Sequence, residues 1–270
     1  MSDININNSN SLQNTNGINP EISYEKTEDD NSLFDNQAND VNGILEKFNQ
    51  GDNLGDCGLI ATLVSFKNSP KGREYIKQAI KHTDNGYSVY FKGTNKTYEI
   101  TFDELEKALN AGYSQGETKE EKPDKDALLL EMAFEKACNE EHSGVMKFKH
   151  KVNDLLCLLP FYEDKYAGKK SIEAESPYYF MELLTGKNTK MVTNFLGKFR
   201  STDMILNKLK NKDFIACVSF GGDKSGHVYS IKSIDDEYVT LINPWETNKD
   251  LKVKKEELHK AERIEYCVLD

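Results

Sequence analysis

Apolar residues recur at helical spacing through residues 56–66, where Leu59, Ile60, Leu63 and Val64 share one face. They do so again through 71–82, with Tyr75, Ile76, Ala79 and Ile80 as the stripe. Alternation replaces this period at 87–91 and 97–101, on either side of Gly93-Thr94-Asn95, and predicts a hairpin. Thr101 and Glu104 have the spacing of a capping box and open a helix to Asn110. A charged loop with one proline is expected over 112–126, then a strong helix over 127–139. Ser176 caps a helix with Pro177 in its first turn and Gly186 just past its end. A short helix follows at about 202–210. The pattern then changes to strands, at 214–220, 227–234, 238–243 and about 263–269. Helices first and strands second predict an α+β fold of two lobes. The helical lobe covers about 43–200 and the antiparallel, β-rich lobe about 201–270, with a cleft between them as the expected site.

Residues 1–42 break from this patterning. They hold eleven asparagines, and too little periodic hydrophobicity to offset the entropy of ordering, so they are expected to be a disordered tail. An Asn/Ser-rich leader of this kind resembles the export signals of bacterial type III effectors. That resemblance implies a secreted protein delivered to a host cytoplasm, the alternative being a plain tail on a cytoplasmic protein. The tail also carries eight acidic side chains and one lysine, so −7 of the net charge of −10 belongs to it. The folded part is nearly balanced and has no long Lys/Arg run, which argues against a nucleic-acid partner. No apolar run reaches the ~18–20 residues of a membrane span, and the N-terminus lacks the apolar core of a secretory signal peptide. Five scattered cysteines do not form a disulfide framework and point to a reducing compartment. The spacing of Cys138, His142, His150 and Cys157 does not match a zinc pattern, and no metal or other cofactor is expected.

One set of residues offers complete chemistry. Cys57 stands at a predicted helix start after Gly55-Asp56, His227 opens a strand in Gly226-His227-Val228-Tyr229-Ser230, and Asn243 closes the next strand before Pro244-Trp245. A free thiol titrates near 8.5, so a helix N-terminus and a neighbouring imidazolium are expected to favour the reactive thiolate. Asp56 is the expected N-cap. If the 235–237 turn centres on Asp236, Asn243 falls opposite Tyr229, two residues from His227. The two side chains are then diagonal neighbours on one face, and a one-residue slip would separate them. Asn243 would fix the imidazole tautomer and aim the other ring nitrogen at Cys57, while Trp245 shields that bond from water.

These segments resemble the protease core of the calpains, a branch of the papain-like thiol proteases. The family places its nucleophile in Gln-Gly-x-x-Gly-Asp-Cys, its base in Gly-His-x-Tyr-Ser/Thr and its orienting residue in Asn-Pro-Trp. Here Gln50-Gly51, Gly55-Asp56-Cys57, residues 226–230 and Asn243-Pro244-Trp245 match them. Residues 128–136 are similar to the family's Leu-Leu-Glu-Lys-Ala-Tyr-Ala-Lys helix, and 182–186 to its Glu-x-Leu-Thr-Gly segment. The resemblance implies a two-lobed papain-like fold and a cysteine endopeptidase acting on protein substrates through Cys57, His227 and Asn243. The Gln50 amide and the Cys57 N–H would form the oxyanion hole. The run from Gln50 to Cys57 is one residue longer than in the family, so Asn53 is the alternative to Gln50. Gly58 stands where the family has an aromatic residue, and Glu246 where it has glycine after the tryptophan. The family's calcium ligands cannot be matched position by position. The same triad also serves deamidases and acyltransferases, and a non-catalytic binding module is the remaining alternative.

Overall fold

The computed structural model describes residues 45, 48–50, 56–110, 124–141, 176–193, 199–221 and 226–269. The tail at 1–42, Gly51, Asn53, Gly55, the middle of the charged loop, His142, His150 and Cys157 lie outside the described residues. The chain is a mixed α+β protein with two antiparallel sheets.

Helix α1 (Cys57–Asn68) is buried along 58–66 and forms the centre of the larger core. Ser69 then caps α2 (Pro70–Ala79), its side chain accepting from Gly72 N–H at 2.8 Å. The helix expected to run to residue 82 stops at Ala79. Ile80 and Thr83, both β-branched, instead bound a strand, β1 (Ile80–Thr83). It pairs with β2 (Gly86–Phe91), which pairs with β3 (Lys96–Thr101), giving a three-stranded sheet where only a hairpin was expected. The capping box is formed: Glu104 accepts from Thr101 N–H at 2.9 Å, and Thr101 Oγ1 accepts from Glu104 N–H at 3.2 Å. It opens α3 (Phe102–Asn110). Helix α4 (Lys125–Glu141) is buried along most of its length, with the Phe134 ring stacked on Phe91 and edge-on to Phe180.

Helix α5 (Pro177–Thr185) ends at Gly186, whose φ of 64° is the left-handed C-cap conformation that glycine adopts at no steric cost. Ser176 does not cap it through its side chain. Its hydroxyl donates to Glu265, whose second oxygen accepts from Tyr178 N–H at 3.1 Å, so a carboxylate from another element serves this helix start. Gly93, at the tip of the β2–β3 hairpin, donates to Leu183 O at 2.8 Å, with the chain too close to Glu182 O for a Cβ. Residues 182–186 are thus where the small sheet docks.

The second sheet has six strands in the order β4 (Lys190–Thr193), β9 (Arg263–Val268), β5 (Phe214–Phe220), β6 (His227–Ile234), β7 (Tyr238–Asn243) and β8 (Glu246–Lys254). Strands β5, β6 and β7 have the bounds expected from the alternation. Strands β4 and β8 were not expected; β8 is exposed along its length and so lacks an apolar period. β4 precedes residue 200, so the sheet draws on the part of the chain assigned to the helical lobe. Helix α1 covers one face of this sheet through Ile215, Cys217 and Val228. Helix α6 (Phe199–Leu209) and a 3-10 turn (Lys255–Lys260) cover the other, through Ile205, Leu206, Leu209 and Leu258.

Candidate active site

The N-terminus of α1 is fixed by its seat on the large sheet. Ser65 Oγ accepts from Ala216 N–H at 2.8 Å, and Thr62 Oγ1 lies 3.7 Å from Cys217 Sγ. With the helix anchored there, Cys57 at its first position reaches the start of β6. The Val228 N–H, on the residue after His227, is close enough to lower the pKa of its thiol. Asp56 occupies the N-cap position but makes no side-chain cap bond, and it is buried.

His227 Nε2 lies 2.9 Å from Asn243 Oδ1. Trp245 N–H donates to the same Oδ1 at 3.1 Å, which fixes the amide with its oxygen toward the ring. An acceptor on Nε2 puts the proton of a neutral imidazole there and leaves Nδ1 as the basic nitrogen. The Trp245 indole stacks on the imidazole at 4.3 Å and 29°, and Tyr229 meets it edge-on at 4.8 Å. Trp245 itself is 51% exposed, so it covers one face of the ring and offers its other face to solvent.

The juxtaposition of His227 and Asn243 depends on a compensated register. Asp235 N–H donates to Tyr238 O at 3.0 Å, so the hairpin turn spans 235–238 and centres half a residue later than Asp236. Ile234 accordingly pairs with Val239 and Ser233 with Thr240. Carried on unchanged, that register would set Asn243 opposite Ser230, on the wrong face. A bulge at Lys232 shifts it: Ile231 pairs with Leu241 and Ser230 with Ile242, so Asn243 falls opposite Tyr229. Lys232 is held by Asp250, with Nζ 2.8 Å from both carboxylate oxygens.

Gln50 is tied to the same turn, its N–H donating to Pro244 O at 2.8 Å. Beside it, Asn49 Oδ1 accepts from both the N–H and the hydroxyl of Thr247 at 2.8 Å, and Thr247 Oγ1 also donates to Phe48 O. Cys57, His227, Asn243, Gln50 and Trp245 are therefore gathered around the ends of α1, β6 and β7.

Burial governs the electrostatics here. It raises the Cys57 thiol, assisted by Asp56 and opposed by the Val228 and Gly58 N–H groups and by Arg263. It lowers His227, opposed by the Asn243 hydrogen bond. Both directions run against the thiolate expected at this helix start, because desolvation outweighs the amide donors there.

Sequence reading did not find Asn49, Thr247, Lys232 or Arg263. Asn49 and Thr247 lie nearly 200 residues apart with no pattern linking them. The bulge had only the mismatch between turn centre and face as a signal. No protein-family model matches the chain, and no curated protein matches it.

Proposed function

We propose that the chain is a cysteine endopeptidase on a papain-like, calpain-type scaffold, with Cys57 as nucleophile, His227 as general base and acid, and Asn243 as the residue that orients the imidazole. The observation that carries this reading is the His227 Nε2–Asn243 Oδ1 hydrogen bond, which leaves Nδ1 as the basic nitrogen on the strand against which the helix opened by Cys57 packs. The order and wording of the motifs, from Gln50-Gly51 to Asn243-Pro244-Trp245, support it independently.

In this reading Nδ1 takes the thiol proton as sulfur attacks the peptide carbonyl. The oxyanion is stabilised by the Cys57 N–H, at the positive end of α1, and by the amide of Gln50 or Asn53. Collapse breaks the C–N bond, and His227 protonates the departing amine. Water, deprotonated by His227, then cleaves the thioester and releases a carboxylate product and the thiol.

The test compares new chain termini in a proteome treated with wild-type protein or with Cys57→Ala. Loss of every new terminus in the variant, with loss of labelling by a thiol-directed epoxide, is the expected result. Unchanged cleavage by the variant refutes the assignment. A mass gain on target glutamines without new termini assigns the triad to deamidation instead.

A further inference from the structure

Arg263 opens β9 and lies in one row across three strands, paired with Ser219 on β5, which pairs with Val228 on β6. Val228 follows His227 on β6, and residues paired in one row lie on the same face of the sheet. The Arg263 guanidinium is close enough to oppose the rise of the Cys57 pKa.

Its anchoring uses one nitrogen. Nε donates to Ser219 Oγ at 3.2 Å and lies 3.2 Å from Glu265 Oε1. Glu265 is almost wholly buried and is already engaged by the Ser176 hydroxyl and Tyr178 N–H at the start of α5. Both terminal nitrogens of Arg263 have no hydrogen-bond partner among the described residues, and 36% of the side chain is exposed. Glu262, the adjacent acid, packs over Gly221 and Gly226. Asp56, the other acid near the sulfur, is buried beneath it. The result is a planar fork, fixed at its base and open at its tip, in the row that reaches Val228 beside His227. Such a fork is shaped to bind a carboxylate through two parallel N–H donors.

We propose that Arg263 is a specificity residue that binds a substrate carboxylate close to the scissile bond, so that the enzyme selects acidic peptides. This rests on the peptidase reading of the same site. The carboxylate belongs either to an acidic side chain or to the substrate's own C-terminus, and the experiment separates the two. Sites cut by wild-type protein and not by Cys57→Ala are found in a peptide library. One such site is then synthesised in pairs, with Glu against Gln at each flanking position and a C-terminal acid against its amide.

Wild-type protein is expected to favour one carboxylate member by at least about tenfold in kcat/KM, as a charge-assisted pair requires. That ratio should fall to about one in Arg263→Met, take an intermediate value in Arg263→Lys, and shrink as salt is raised. Arg263→Lys retains a cation beside Glu265 and carries the test should the methionine variant unfold. Cys57-dependent cleavage with a wild-type ratio near one at every position overturns the inference and spares the peptidase reading. So does a ratio that survives in Arg263→Met. Absence of any Cys57-dependent cleavage overturns both.

Discussion

At the scale of single residues, burial holds Asp126 against the ordinary chemistry of a carboxyl group. Asp126, in the first turn of α4, is buried. Burial, reinforced by Asp124 and opposed by Lys125 and the Leu45 N–H, raises its pKa from 3.8 to about 7. The folded chain therefore binds a proton that the unfolded chain releases between pH 4 and 7. Stability falls as pH rises through that window and stays low above it. Asp126→Asn should raise the unfolding temperature at pH 8, by a stabilisation of up to about 4 kcal/mol, and leave it nearly unchanged at pH 4. A pair of thermal melts at the two pH values checks both the sign and the window. Nothing in the sequence around Lys125-Asp126 reveals this, since an acid near a helix start is ordinarily a solvated favourable charge. The pairing of His227 with Asn243 was legible from their short motifs, whereas the spacing argument reached it only because the later turn centre and the bulge cancel. Asp126 depends on what packs over it.

At the scale of elements, β5, β6 and β7 were readable because each is half buried and alternates. β8 was not, because an exposed edge strand laced with lysine and acid has no period to detect. Strand β1 was missed for a different reason: its isoleucine continued the stripe of the preceding helix, and only pairing with β2 decides its state. The candidate site relies most on the bulge at Lys232, the element-scale feature that turns Asn243 toward the ring. Deleting Lys232 would only remove the bulge and keep Ile231 opposite Leu241, whereas one residue inserted after Lys232 should slide the strand by one and point Asn243 to the other face. That insertion and Asn243→Ala are each expected to lower kcat on the order of 10²-fold. Combined, they should lower it no further, because they break one interaction. Additive losses in steady-state kinetics would show that the bulge acts elsewhere.

At the scale of the whole molecule, burial sets the pH range of the chemistry. His227 is held below its ordinary value of 6.5 by desolvation, with the Asn243 bond only partly offsetting this. The base is neutral, and able to accept a proton, at pH values where an exposed histidine would already be charged. The acid limb of kcat/KM should accordingly lie below pH 6.5. Substituting Asn243 by alanine removes the influence that raises the imidazole, and should move the limb lower still. A pH–rate profile of the two proteins measures both shifts. The α+β class could be read from the order of patterns, whereas the assembly of the site could not. Sequence places Gln50 only in the vicinity of the thiol, and its alignment depends on residues from the far end of the chain.

That last dependence has a consequence for biosynthesis. Phe48, Asn49 and Gln50 are strapped to Pro244 and Thr247, and the imidazole and its amide come from the same late segment. A nascent polypeptide that has left the ribosome only as far as its first two hundred residues holds a sulfhydryl with neither partner nor alignment. For the proposed peptidase, competence would begin only once the segment from His227 to Thr247 has been made.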